Sequence, residues 1–223
     1  MKVAVLADTH GNLPALKAAL DALRNEKCDT IYHLGDVIGI GPYPAECLDE
    51  LLNTRRMHLI MGNHDAMFAF GLPKSLPPSM REEEMAHHRW VHSCIDPSLR
   101  SVVAEWPYIV REEFGSLRVT FAHYGLDDSG SEFLPVVRNP DSNDLDRVFQ
   151  HHQSHIVFYG HTHHVVDITG RRRYVNPGSL GCYFEPVSRF VVLEVGESGA
   201  FELAKRAVTY DDRDFFCEFE RRN

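Results

Sequence analysis

The N-terminal part of the chain alternates strand and helix, and each strand hands over to polar residues instead of a plain turn. Val3 to Ala7, Thr30 to Leu34 and His58 to Met61 are short, largely apolar runs of the kind buried in a sheet. Between the first two, Leu13, Leu16, Ala19, Leu20 and Leu23 recur at helical spacing. Asn12 can cap that helix and Pro14 fits its first turn, so it runs to about Asn25. A second helix is expected from about Ala45 to Asn53. The strands end in Asp8-Thr9-His10-Gly11-Asn12, in Gly35-Asp36 with a glycine-rich loop to Pro44, and in Gly62-Asn63-His64-Asp65. This order predicts an α/β fold, in which ligands bind outside the carboxyl ends of the strands.

Downstream the pattern is less regular. Gly71 to Pro78, with Pro73, Pro77 and Pro78, reads as a loop. Met80 to about Ser93 reads as a helix whose Glu82, Glu83 and Glu84 suit the positive end of its dipole. Ser98 to Glu105 forms a second short helix, so 71–106 is a helical insertion in a single domain spanning 1–223. Strands follow near Tyr108 to Val110 and at Leu117 to Ala122, the latter ending in His123. A polar segment from Asp127 to Asn143 leads into a helix to about His152. His155 to Tyr159 is a buried strand that opens at Gly160 into His161-Thr162-His163-His164. Two hairpins follow, Val165 to Ile168 with Arg173 to Val175 across Thr169-Gly170, and Arg189 to Val195 with Phe201 to Val208 across Gly196 to Gly199. They make this half mostly antiparallel, and a short helix starts at Asp211.

Composition excludes several classes. A chain of 223 residues that is 43% hydrophobic and 25% charged supports a substantial core, and no run approaches a membrane span. The apolar N-terminal run is too short for a secretion signal and reads as the first strand. Five cysteines, Cys28, Cys47, Cys94, Cys182 and Cys217, are odd in number and lack CxxC spacing. That argues against a disulfide framework or a thiolate metal site and fits a reducing cytoplasm. A net charge of −9 opposes stable nucleic-acid binding, which needs a positive surface.

Five strand ends deliver Asp8 and His10, Asp36, Asn63 and His64, His123, and His161 with His163. One such aspartate is ordinarily a turn or cap, and one histidine a surface or core residue, but five ends together are not explained that way. His161 and His163 are two apart, and in extended backbone they would project to one side. Carboxylate, imidazole and amide oxygen without thiolate suit manganese, iron, zinc, nickel or cobalt better than a structural zinc site. Asp8, His10, Asp36, Asn63, His123, His161 and His163 are too many ligands for one ordinary ion. Two ions sharing a carboxylate would use them.

In order and spacing these blocks resemble the calcineurin-like metallophosphoesterases: Asp8-Thr9-His10, Gly35-Asp36, Gly62-Asn63-His64-Asp65, His123, and Gly160-His161-Thr162-His163. Gly35 to Pro42 and Asn176-Pro177-Gly178-Ser179 also look like the small prokaryotic members. The resemblance implies a four-layer αββα sandwich of two mixed sheets flanked by helices. It implies one divalent ion on Asp8, His10 and His163, a second on Asn63, His123 and His161, and Asp36 bridging, with manganese placed first among the candidate metals. A bridging hydroxide would attack phosphorus in line, and His64 would bind phosphate and protonate the departing oxygen. Asp65 could orient His64 or cap a helix.

The family's protein serine/threonine phosphatases follow Gly-Asp with Asp-Arg-Gly, whereas Val37-Ile38-Gly39 stands here. The expected substrate is therefore a small phosphoester or nucleotide, with diester, monoester and dinucleoside polyphosphate left open. The alternative is a non-catalytic scaffold or metal-binding regulator on the same fold. Arg171-Arg172-Arg173 could attract an anion or form a solvated face. His87, His88, Arg89, Trp90 and His92 could cap the site or pack as mixed surface. Tyr124 could support His123.

Overall fold

The computed structural model describes residues 1–77, 80–197 and 199–222, so Pro78 of the expected loop and Ser198 of the second hairpin turn lie outside the described residues. The elements run β1 (Lys2–Leu6), α1 (Leu13–Glu26), β2 (Thr30–His33), α2 (Pro44–Leu52), β3 (Met57–Leu59), α3 (Asn63–Phe70) and α4 (Glu82–Ser93). A 3₁₀ turn (Pro97–Leu99) and α5 (Arg100–Ala104) come next, then β4 (Ile109–Phe114), β5 (Leu117–Ala122), α6 (Ser142–Val148) and β6 (Ile156–Phe158). The chain continues through β7 (Val165–Thr169), β8 (Arg173–Pro177), β9 (Val187–Val195), β10 (Phe201–Thr209) and α7 (Arg213–Arg222).

Two five-stranded mixed sheets result, ordered β10-β9-β1-β2-β3 and β4-β5-β6-β8-β7. β1, β2 and β3 run parallel, with β9 antiparallel to β1. In the second sheet β5, β6 and β8 run parallel between antiparallel β4 and β7, so this half is less antiparallel than its hairpins predict. The layers follow from alternation along each strand. Val3 and Val5 of β1 face Val119, Phe121, Ile156 and Phe158 of the other sheet. Ala4 and Leu6 face the opposite way, onto Leu16, Leu20, Leu48 and Val91 of the helices. Val157 and Tyr174 turn outward onto Leu145 and Phe149. Helices, sheet, sheet and helix therefore stack in four layers. Between the sheets the rings of Tyr32 and Phe121 stack at 3.9 Å, and the Tyr32 hydroxyl donates to Glu112 at 3.0 Å.

Local chemistry explains the boundaries. The Asn12 side chain accepts from the Ala15 N–H at 3.1 Å and starts α1. β4 runs through Glu112 and Glu113, further than its apolar residues predict, because it is an edge strand with one neighbour and its open side tolerates charge. α6 ends at Val148, before His152. α3, absent from the sequence expectation, begins on Asn63 itself. α4, α5 and the residues that flank them bury Val91, Ile95, Val103 and Trp106 in the same core as α1 and α2. All five cysteines are free, and among the described residues no helix is long and apolar enough to cross a membrane.

Candidate metal centre

Every candidate ligand lies on a loop, or on the first turn of a helix, beyond the end of a strand. Five of them hold left-handed backbone: Asp8 (φ 56°), His10 (49°), Asp36 (55°), His161 (68°) and His163 (60°). This conformation costs an L-residue about 1–2 kcal/mol, so the surrounding contacts enforce it. The Asp8 N–H donates to Gly35 O at 3.0 Å and the His10 N–H to Asp36 O at 2.9 Å, stitching the first two loops together. His161 and His163 converge, although extended backbone is not the reason. A tight turn, with the Thr162 N–H donating to Gly160 O at 2.7 Å, carries both, and His164 is left exposed.

The donor atoms form two overlapping knots. In one, His10 Nε2 lies 2.9 Å from His163 Nε2 and 3.9 Å from Asp8 Oδ1. In the other, His123 Nε2 lies 3.0 Å from Asn63 Oδ1 and 3.0 Å from His161 Nδ1. Asp36 Oδ2 is between them, 3.7 Å from His10 Nε2 and 3.3 Å from His123 Nε2. His123 Nδ1–H donates to Leu34 O at 2.9 Å, which leaves Nε2 as the ligating atom. Three sets, Asp8–His10–His163, His10–Asp36–His64 and Asp36–His123–His161, each keep their donor atoms within 4.8 Å.

In the bare protein this knot keeps protons on Asp8 and His123 that its buried carboxylates hold in place. Burial holds the His161 ring down to about 3 and His163 to about 4, and pushes His10 well below its ordinary value. These rings are held in the uncharged form, in which each keeps one nitrogen lone pair able to bind a cation. Burial pushes the Asp8 carboxyl up to about 8 against the pull of His123. Burial alone would also raise Asp36, but His123 and His64 hold it well below the ordinary range. In return Asp36 overcomes the burial of His123 and lifts it to about 9. Divalent cations would take the place of those protons and bind the imidazole lone pairs, so the donor set fits metal.

Asp65 does not orient His64. Its Oδ2 accepts from the backbone N–H of Asp36 (2.7 Å) and Gly62 (3.1 Å), and its Oδ1 from those of Val37 (3.1 Å) and Ile38 (3.0 Å). Both oxygens are thus committed to the loop that presents Asp36. His64 instead donates its backbone N–H to Asp36 Oδ1 at 2.9 Å, and its ring, with Nε2 4.0 Å from Asp36 Oδ2, borders the knot. Gly39 makes room for it: a Cβ there would come within 2.7 Å of His64 Nδ1.

The family model for the calcineurin-like phosphoesterase superfamily domain matches residues 1–198. The chain belongs to that superfamily. Over 162 residues it is 29% identical to the uncharacterized protein MJ0912 of Methanocaldococcus jannaschii, a stretch covering 72% of this chain and 62% of that relative. Its fold is similar to hypothetical protein PH1004 from Pyrococcus horikoshii OT3, at TM-score 0.82 and 21% identity over 99% of this chain and 92% of that one. It is also similar to a metallophosphoesterase from Sphaerobacter thermophilus, at TM-score 0.73 and 21% identity over 99% and 93% of the two chains.

Around this calcineurin-like centre the remaining candidates divide. On α4, His88 is buried with its ring 4.9 Å from that of His64, and His87 Nε2 lies 2.8 Å from Ile40 O. In this phosphoesterase domain α4 therefore covers the loop against which His64 rests. Tyr124 accepts the Val137 N–H at 3.1 Å and its ring lies 5.1 Å from His161. The arginine run is engaged elsewhere, Arg171 with Asp146 and Arg173 with Asp167. Sequence reasoning passed over His33 and Thr9, which are buried beneath the ligands. Gly35 N–H donates to His33 Nδ1 at 3.3 Å, so His33 Nε2–H donates to Thr9 Oγ1 at 2.7 Å. A histidine at the end of β2, directly before the Gly-Asp loop, was the available signal.

Proposed function

We propose that this chain hydrolyses phosphoester bonds of a small phosphoester or nucleotide using two divalent transition-metal ions, manganese first among the candidates. Asp8, His10 and His163 would hold one ion, Asn63, His123 and His161 the other, with Asp36 between them. The observation that carries the reading is the overlap of the donor sets through His10 and Asp36. When bound, the cations supply positive charge to the phosphoryl oxygens and lower the pKa of a water.

The chain's own residues supply the rest. Asp65 and the shared backbone bonds hold Asp36 between the two knots, and the Leu34 carbonyl fixes the His123 tautomer. His64, part-exposed beside the knot, is placed to give a proton to the departing oxygen, work suited to an imidazole. The insertion, through His87 and His88, limits movement of the His64 ring. Five free cysteines support a cytoplasmic location.

The test is hydrolysis of bis-p-nitrophenyl phosphate and p-nitrophenyl phosphate by manganese-reconstituted protein. Turnover should disappear on chelation and fall about 10²- to 10⁴-fold in His64→Ala, with metal content unchanged. Two bound ions without turnover of either ester would favour the scaffold reading. Absence of metal binding would overturn the site altogether.

A further inference from the structure

A cavity of about 490 Å³ opens between the 136–140 segment and the start of β7, and the candidate ligand His161 lines it. We propose that it is a nucleoside subsite, taking the sugar and base of a nucleotide whose phosphate lies at the metal centre; this rests on the phosphoesterase reading above.

Four observations carry it. The volume is within the roughly 300–1,000 Å³ of small-molecule sites, far more than a phosphate alone fills. Val136 and Val165 line it and are each 46% exposed, apolar surface that gains from being covered by a flat ring. No carboxylate lines it, nor the cavity beside His92 and Arg100, whereas three other cavities carry Glu82 and Glu83, Asp127 and Asp128, or Glu112 and Glu113. In a chain of net charge −9, a cavity that is free of carboxylates and has the candidate ligand His161 in its wall lets an anion approach the centre with little local repulsion. Finally, Arg138 lines it and, among the described residues, pairs with no carboxylate.

The chemistry of the lining selects a nucleoside over a plain acyl or alkyl group. A guanidinium stacks on aromatic faces as well as binding phosphate. Asn139, also in the lining, carries the amide that pairs with both the ring nitrogen and the amino group of adenine. The wall is also built onto the centre. Tyr124, next to His123, accepts the Val137 N–H at 3.1 Å, and the Leu134 N–H donates to Gly125 O at 2.8 Å. A base held by this wall is therefore in fixed register with His123 and His161.

The experiment is calorimetric titration of AMP, with inorganic phosphate as the comparison, into manganese-loaded full-length protein and its Arg138→Ala, Val165→Glu and Arg24→Ala variants. AMP should bind at least tenfold more tightly than phosphate. Arg138→Ala and Val165→Glu should each lose about tenfold, and Arg24→Ala, which removes a cation from α1 outside the cavity, should lose nothing. Circular dichroism confirms that the surface variants fold. Equal affinity for AMP and phosphate, or wild-type AMP affinity in both cavity variants, overturns the subsite even if bis-p-nitrophenyl phosphate is hydrolysed. AMP binding that depends on Arg138 in a protein that turns over no ester keeps the subsite and removes the catalytic reading.

Discussion

Asp65→Asn separates two roles for one carboxylate. Asparagine keeps the size of the side chain but turns one oxygen into a donor. Since each Asp65 oxygen accepts two backbone N–H groups, either orientation of the amide leaves two buried N–H groups facing an NH₂. An orphaned buried donor costs about 1–3 kcal/mol, so the loss is about 2–6 kcal/mol, a large part of the roughly 5–15 kcal/mol that stabilises a typical domain. With a urea m-value of about 2–3 kcal/mol/M, the unfolding midpoint should fall by about 0.7–3 M. Manganese affinity should fall with it, because the loop that loses its anchor is the one presenting Asp36. The assay is urea unfolding by circular dichroism with and without manganese, alongside metal titration. A variant with wild-type midpoint and metal affinity but reduced kcat would refute this reasoning and return Asp65 to orienting His64.

In the metal-free protein, Asp8 and His123 stand at about 8 and 9, so there the folded state keeps protons that the unfolded chain has released. The depressed rings of His33, His161 and His163 have lost their protons in both states above about pH 7.5, so stability should fall as pH rises from about 7.5 to 9; urea midpoints in EDTA test this, manganese should flatten the slope, and a rise over that range would contradict it. Gly39→Ala puts a Cβ 2.7 Å from His64 Nδ1 at φ +116°; kcat should drop about a hundredfold while metal analysis shows full occupancy. Thr9→Val deprives His33 Nε2–H of its buried acceptor and should cost about 1–3 kcal/mol in thermal or urea unfolding; an unchanged midpoint would contradict it.

Much of this was legible because strand ends carry their own chemistry. Asp8, His10, Asp36, His123, His161 and His163 could be collected from residue type and position after apolar runs, before any coordinates. What could not be read was set by tertiary approach. Asp65 could serve a ring or a loop, and only the arrival of Val37 and Ile38 over the start of α3 decides which. Asn63, His64 and Asp65 looked like pure loop because they are weak helix formers, which hid α3. Asp65 reaching back to the Gly62 N–H is an acid at the third helical position, a signal that was there. His161 and His163 come together through a tight turn with left-handed φ at both, not through the extended backbone that their spacing suggests, because residue type alone does not reveal such a turn.

Those left-handed positions set activity against endurance. At Asp8, His10, Asp36, His161 and His163 the residue that would relax the main chain, glycine, is also the one that deletes the ligand. A selection of variants by heat survival alone, in the absence of metal, would drift toward glycine there and gather durable, inert proteins. Improving this chain therefore calls for screening with the ion present, so that binding energy rewards the conformations that the bare polypeptide resists.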